Sequence, residues 1–139
     1  MQTITEDLLK QLKNTTNIAE FLDKHNDEFI KETPKSYLNF MLSKKNMSVA
    51  RIAKESGVGE YTYKIFNDER KPSRNILIAL AVGMSLTLQE TQLLLRISKF
   101  AILDSRDKRD SIIIFGLMNH LSVFEIDDLL SENGVVTIN

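Results

Sequence analysis

Bond-making chemistry needs a nucleophile, an acid–base pair or a set of metal ligands, and the spacing in this chain assembles none of these. His25 and His120 stand alone, with no second His, Asp or Glu at ligand spacing, and read as ordinary helix-surface or helix-end residues. The chain has no cysteine, which removes thiolate ligands and disulfides. No Gly-rich phosphate loop and no nucleophile elbow occurs. Asp104, Asp107 and Asp110 interleave with Arg106, Lys108 and Arg109. That is the pattern of a capped, salt-bridged helix start, because a calcium loop needs other spacing and a glycine. The expectation is a protein that is not an enzyme and needs no metal or cofactor.

What the residue types do support is hydrogen bonding from a helix surface. It is concentrated in SVARIAKESGVGEYTYKIFNDERKPS, Ser48 to Ser73. Glu60, Tyr61, Thr62, Lys64 and Asn67 are expected on one outer face, with donors and acceptors that suit base edges in a DNA major groove. Lys64 is the strongest of them, and Tyr61 could instead pack on Arg51. Lys44, Lys45, Ser48, Lys71 and Arg74 suit phosphate oxygens, contacts that fix register rather than sequence. Lys44 and Lys45 equally suit a solvated helix end, and Arg74 equally suits a bridge to an acid. From Pro34 to Asn75 there are nine Lys/Arg and four acids, a charge of +5, while the remainder carries −6. A basic segment in an otherwise acidic chain is the footprint expected of a local nucleic-acid face.

Such side chains act only if a scaffold presents them, and the same stretch reads as a helix-turn-helix. Ser48 is a good N-cap. Ala53 is small enough for two helices to cross closely, and Gly57 can take the positive φ of the tight turn. Val58 plugs the space under the turn, and Ile52, Tyr63 and Phe66 are expected to bury the shared face.

On these residues the chain resembles the phage-repressor-like, or XRE/Cro-type, helix-turn-helix proteins. The matching set is Ile52-Ala53, Gly57-Val58, Tyr63, Arg70-Lys71-Pro72-Ser73 and Ile78-Ala79-Leu80-Ala81, within about Lys35 to Leu86. The resemblance implies a five-helix domain that binds operator DNA as a dimer and regulates transcription. Three positions depart from the pattern. Val49 lies where relatives often carry Gln near the helix start, Glu60 replaces a basic or neutral residue, and Asn67-Asp68-Glu69 lacks a glycine.

The elements around this motif are helical. Apolar residues recur at three- and four-residue spacing almost throughout, so the fold class is all-α. To the five-helix repressor-like core that the resemblance implies, the chain adds N-terminal helices and a C-terminal helical hairpin. Seven helices are expected, or eight depending on how the stretch after Met84 divides. The first is near Ile4 to Leu12. The second follows Thr15 to Asn17 and carries Ile18, Phe21, Leu22 and Phe29. The third runs from about Lys35 to Lys45, and the sixth from about Arg74 to Met84. Val135 to Ile138 reads either as a strand-like arm or as a frayed end. The expected segments are 1–33, 34–86 and 87–139, the last two packed together.

A repeat appears at a spacing of 35 residues. Arg74-Asn75 matches Arg109-Asp110, Leu77-Ile78 matches Ile112-Ile113, and Leu94-Leu95 matches Leu129-Leu130. Two capping boxes, Thr87-x-x-Glu90 and Ser122-x-x-Glu125, match as well. The expected form is two similar helical hairpins side by side. The apolar surplus at Leu93 to Leu95, Ile97, Phe100 and Ile112 to Phe115 suggests a homodimer interface there. No apolar run is long enough to span a bilayer and no leader pattern is seen, so a cytoplasmic protein without membrane contact is expected. The competing reading is a protein-interaction module on a helix-turn-helix scaffold that does not bind DNA.

Overall fold

The structure, a computed structural model, describes residues 4–26 and 32–139. The chain divides into two compact units, Met1–Lys31 and Glu32–Asn139. Among the described residues all regular structure is helical: nine helices and no strand.

The first unit holds α1 (Ile4–Lys13) and α2 (Ile18–Lys24). Asn17 caps α2 by accepting from the Glu20 N–H. Phe21 is buried, and His25 at the helix end is buried with it, their rings 4.7 Å apart. Phe29, expected on this helix, lies outside the described residues.

The second unit contains α3 (Pro34–Lys44), α4 (Val49–Ser56), α5 (Tyr61–Phe66), α6 (Arg74–Gly83), α7 (Leu88–Ile97), α8 (Lys108–Met118) and α9 (Val123–Glu132). Six of these seven begin on a side-chain cap: Thr33, Ser48, Ser73, Thr87, Asp107 and Ser122. Each accepts from the N–H three residues on and so satisfies one orphan donor of the helix start. Both expected capping boxes are closed, Glu90 accepting from Thr87 and Glu125 from Ser122. α6 has no polar face. Leu77, Ile78, Leu80 and their neighbours to Gly83 are buried, so this helix is the centre of the core.

The 35-residue repeat is a repeat of hydrogen bonds. Arg74 donates to the carbonyls of Ala101 and Ile102, and Arg109 to those of Val136 and Thr137. The Leu103 N–H is held by Gln92, and the Ile138 N–H by Asp127. The tail is therefore neither a strand nor frayed. It is an irregular strap that repeats the loop before α8.

A third hairpin, α3–α4, belongs to the same series. Asn46, Ser85 and His120 all take positive φ, at 52°, 56° and 56°. The N–H of the next residue reaches back to Leu42, Ala81 and Gly116 respectively. The same helix-ending turn closes α5, α7 and α9 as well, at Asp68, Lys99 and Gly134, with the following N–H on the carbonyls of Lys64, Leu95 and Leu130. Successive hairpins pack reciprocally: α4 on α6 while α3 meets α7, then α6 on α9 while α7 meets α8. Arg74 bonds Asp110 while Arg109 bonds Asn75, the same exchange in miniature. Neighbouring hairpins thus exchange contacts crosswise, the first helix of one on the second of the other.

Candidate nucleic-acid interface

α4 and α5 are joined by a turn of two left-handed glycines. Gly57 has φ 74° and Gly59 has φ 72°. An L side chain would be strained at either position. The turn is held from within by the Gly59 N–H on the Ala53 carbonyl and by the buried Ser56 hydroxyl, which accepts from Val58. It is held from outside by Asn139, whose side-chain amide donates to the Ser56 carbonyl at 3.0 Å. Ile52 and Ala53 are buried as expected, and α4 lies against α6 so closely that Gly83 has no room for a methyl group beside Ser56.

The phase of α5 differs from the expectation by one residue. Thr62, Ile65 and Phe66 face the core, with Thr62 wholly buried, so Thr62 has no access to a base edge. Tyr63, expected in the core, is exposed. Tyr61 is half-buried against the core. The helix starts at Tyr61 after the second left-handed glycine, and Glu60 makes no side-chain cap. From that start an i, i+3, i+4 face falls on 62, 65 and 66. The outward residues are Glu60, Tyr63, Lys64 and Asn67.

The basic residues divide into two sets. Lys64 and Lys71 are exposed, as are Arg51, Lys54 and Arg70, and none of the five has an ion pair among the described residues. Ser48 spends its hydroxyl on the Arg51 N–H at the start of α4. Lys44 and Lys45 instead converge on Glu90, at 3.4 and 3.1 Å. Burial pushes the Glu90 carboxyl up, but the Thr87 N–H and the two ammonium groups together outweigh this and hold it below its ordinary value. Above them Tyr37 donates to the Glu90 carbonyl at 2.9 Å. Burial, with the charges of Glu90 and Glu32, pushes the Tyr37 hydroxyl up to about 12.

Arg74 is not placed as a phosphate contact. Its guanidinium spans Asp110, at 3.0 Å, and two backbone carbonyls, which uses its donors inside the protein. Sequence reasoning missed Ser56, Gly59, Gly83 and Asn139, read Glu90 only as half of a capping box, and did not place Arg51, Lys54 and Arg70 among the phosphate candidates. Of these, Gly83 carried a readable signal: a glycine ending the run Ala79-Leu80-Ala81-Val82 marks a close helix crossing.

No helix among the described residues is long and apolar enough to cross a membrane, and no cluster of His, Asp or Glu there could hold a metal ion. No family model matches the chain, and no curated protein or solved structure is detectably similar to it.

Proposed function

We propose that this chain binds double-stranded DNA and regulates transcription, with α5 as the helix that enters the major groove. Lys64 and Asn67 then meet base edges, Glu60 accepts from a cytosine amine, and Tyr63 replaces Thr62 on the reading face. Ser48 and Lys71 lie toward phosphates, joined by Arg51, Lys54 and Arg70. The observation that carries this reading is the convergence of two features. A short helix is joined to α4 by a turn of two left-handed glycines, and five exposed cations of the same segment, Arg51, Lys54, Lys64, Arg70 and Lys71, have no ion pair among the described residues.

A genomic library bound at low salt and sequenced tests it. Enrichment of one sequence is expected, with affinity falling as salt rises because bound phosphates release counterions. Lys64→Ala should weaken the selected site by roughly 5- to 150-fold and relax the preference at one position. Failure to retain any duplex at low salt would overturn the proposal. It would leave the second reading, an interaction module without DNA. That reading is favoured by the pairing of Lys44 and Lys45 with Glu90 and by the commitment of Arg74 to Asp110.

A further inference from the structure

We infer that the recess between the start of α3, the end of α5 and the end of α7 is a binding site for a small organic anion, an apolar body carrying a carboxylate, sulfonate or phosphate group. The cavity lies within the second unit and measures about 360 Å³, inside the range of about 300–1,000 Å³ that small-molecule sites occupy. It is more enclosed than the larger clefts beside Asp107 and Phe40.

The floor is apolar. Leu38 of α3, Ile65 of α5 and Ile97 of α7 form it, all three buried, and Phe100 adds a half-buried ring. The rim is basic. Lys35, Arg70, Lys71 and Lys99 line it, against a single acid, Asp68. All four cations are exposed, and none has an ion pair among the described residues. The Ser98 hydroxyl at the same wall is enclosed and has no hydrogen-bond partner there. Lys99 takes a left-handed φ of 63°, a conformation that costs least with glycine or asparagine. The chain carries a long cation at that position, on the rim of the cavity.

The chemistry of the occupant follows from this lining. Cations with unspent donors hold carboxylate, sulfonate or phosphate oxygens by charge-assisted hydrogen bonds, and the Arg70 guanidinium can engage two oxygens at once. An inorganic anion would leave the apolar floor unused, and a duplex backbone would meet the rim and not the floor. A molecule with an apolar body and an anionic head complements both. The recess also adjoins the candidate recognition helix, because Ile65 belongs to α5 and Arg70 and Lys71 are the cations assigned above to phosphates. On the proposed function, on which this consequence alone rests, an anion in the recess competes with DNA for those two side chains.

Anilinonaphthalene sulfonate, an aromatic body with one sulfonate, is the probe, and phenylnaphthylamine carries the same rings without the charge. Fluorescence titration of the full chain without DNA should show saturable one-to-one binding of the sulfonate, with the neutral amine weaker by roughly 10-fold or more. Lys35→Ala and Lys99→Asn should each weaken the sulfonate roughly 3- to 10-fold, with helical circular dichroism unchanged. Phe115→Ser, at an exposed ring of α8 outside the cavity, should leave its affinity unchanged. No saturable binding, equal affinity for the neutral amine, or a loss with Phe115→Ser in place of the two lysine variants would overturn the inference. DNA binding is scored apart. A chain that binds the sulfonate but no duplex overturns the proposed function and leaves the site standing. A chain that selects DNA but binds no sulfonate overturns the site alone. Where both bind, DNA affinity should fall as the sulfonate saturates, and indifference would overturn the shared use of Arg70 and Lys71.

Discussion

Replacing Gly83 by alanine tests the close crossing of α4 on α6 directly. A Cβ at that position would lie 2.8 Å from the Ser56 nitrogen, 2.9 Å from its Cβ and 3.0 Å from its Cα. Comfortable contact between such atoms is about 3.5–4.0 Å, so α4 and α6 must separate by roughly 0.5–1 Å. Two of the three atoms are α4 backbone, and no side chain can rotate to make room. Overpacking of this kind costs about 1–3 kcal/mol, and a rigid neighbour places it at the upper end. The helix propensity of alanine returns about 1 kcal/mol. The net loss is about 2 kcal/mol, or about 8 °C in the thermal midpoint of a domain this size.

Gly116→Ala is a second overpacking site. Its Cβ would meet Cγ1 and Cδ1 of Ile126, a wholly buried β-branched side chain, so a loss of about 1–3 kcal/mol is expected there too. Urea unfolding followed by circular dichroism measures both. A Gly83→Ala chain as stable as the wild type would refute the close crossing of α4 on α6.

Arg74→Ala leaves Asp110 buried without its guanidinium, an expected loss of about 3 kcal/mol in urea unfolding. Arg74→Lys should recover little of it, because one ammonium cannot span Asp110 and the carbonyls of Ala101 and Ile102. Glu90 is held below its ordinary value of 4.5, so its contribution is present above that pH and is lost as pH falls through the folded-state value. Glu90→Gln, which keeps the capping bond, should flatten the acid limb of the stability profile. Tyr37 moves the other way. Its hydroxyl ionises at 10.0 in the unfolded chain and about 12 in the folded one, so stability should fall between those values, and Tyr37→Phe should remove that alkaline loss.

The helical frame was legible because its signals are local. The caps at Asn17, Ser48, Ser73, Thr87 and Ser122 and the left-handed Gly57 each depend on neighbours within a few residues. The repeat was legible for α6–α9, where the spacing stays at 35, but not for α3–α4, where the α5 insertion breaks the register. The reading face of α5 was misplaced because six residues are too few for a period to declare itself. Tyr63 looked the better core residue by polarity. The helix start set by Gly59 decided otherwise and put Thr62 inside. Contacts such as Lys45 with Glu90, Arg74 with Asp110 and Asn139 with Ser56 join residues 36 to 83 positions apart, and no local pattern announces them.

Those long contacts also determine what holds α5. Its own connections are slight: a six-residue helix, an uncapped start and a turn of two glycines. Left alone, such a segment is too short to be stable. Its orientation comes instead from α4, and α4 is fixed by Gly83 on one side and by Asn139 at its end, over Gly57. Asn139 is in turn placed by Asp127 of α9, which also holds the Ile138 N–H. The C-terminal hairpin is therefore part of the support of the candidate recognition helix and not an appendage to it. A chain whose strap from Val135 to Asn139 is displaced would keep its helices but lose the outer hold on the turn that aims Lys64.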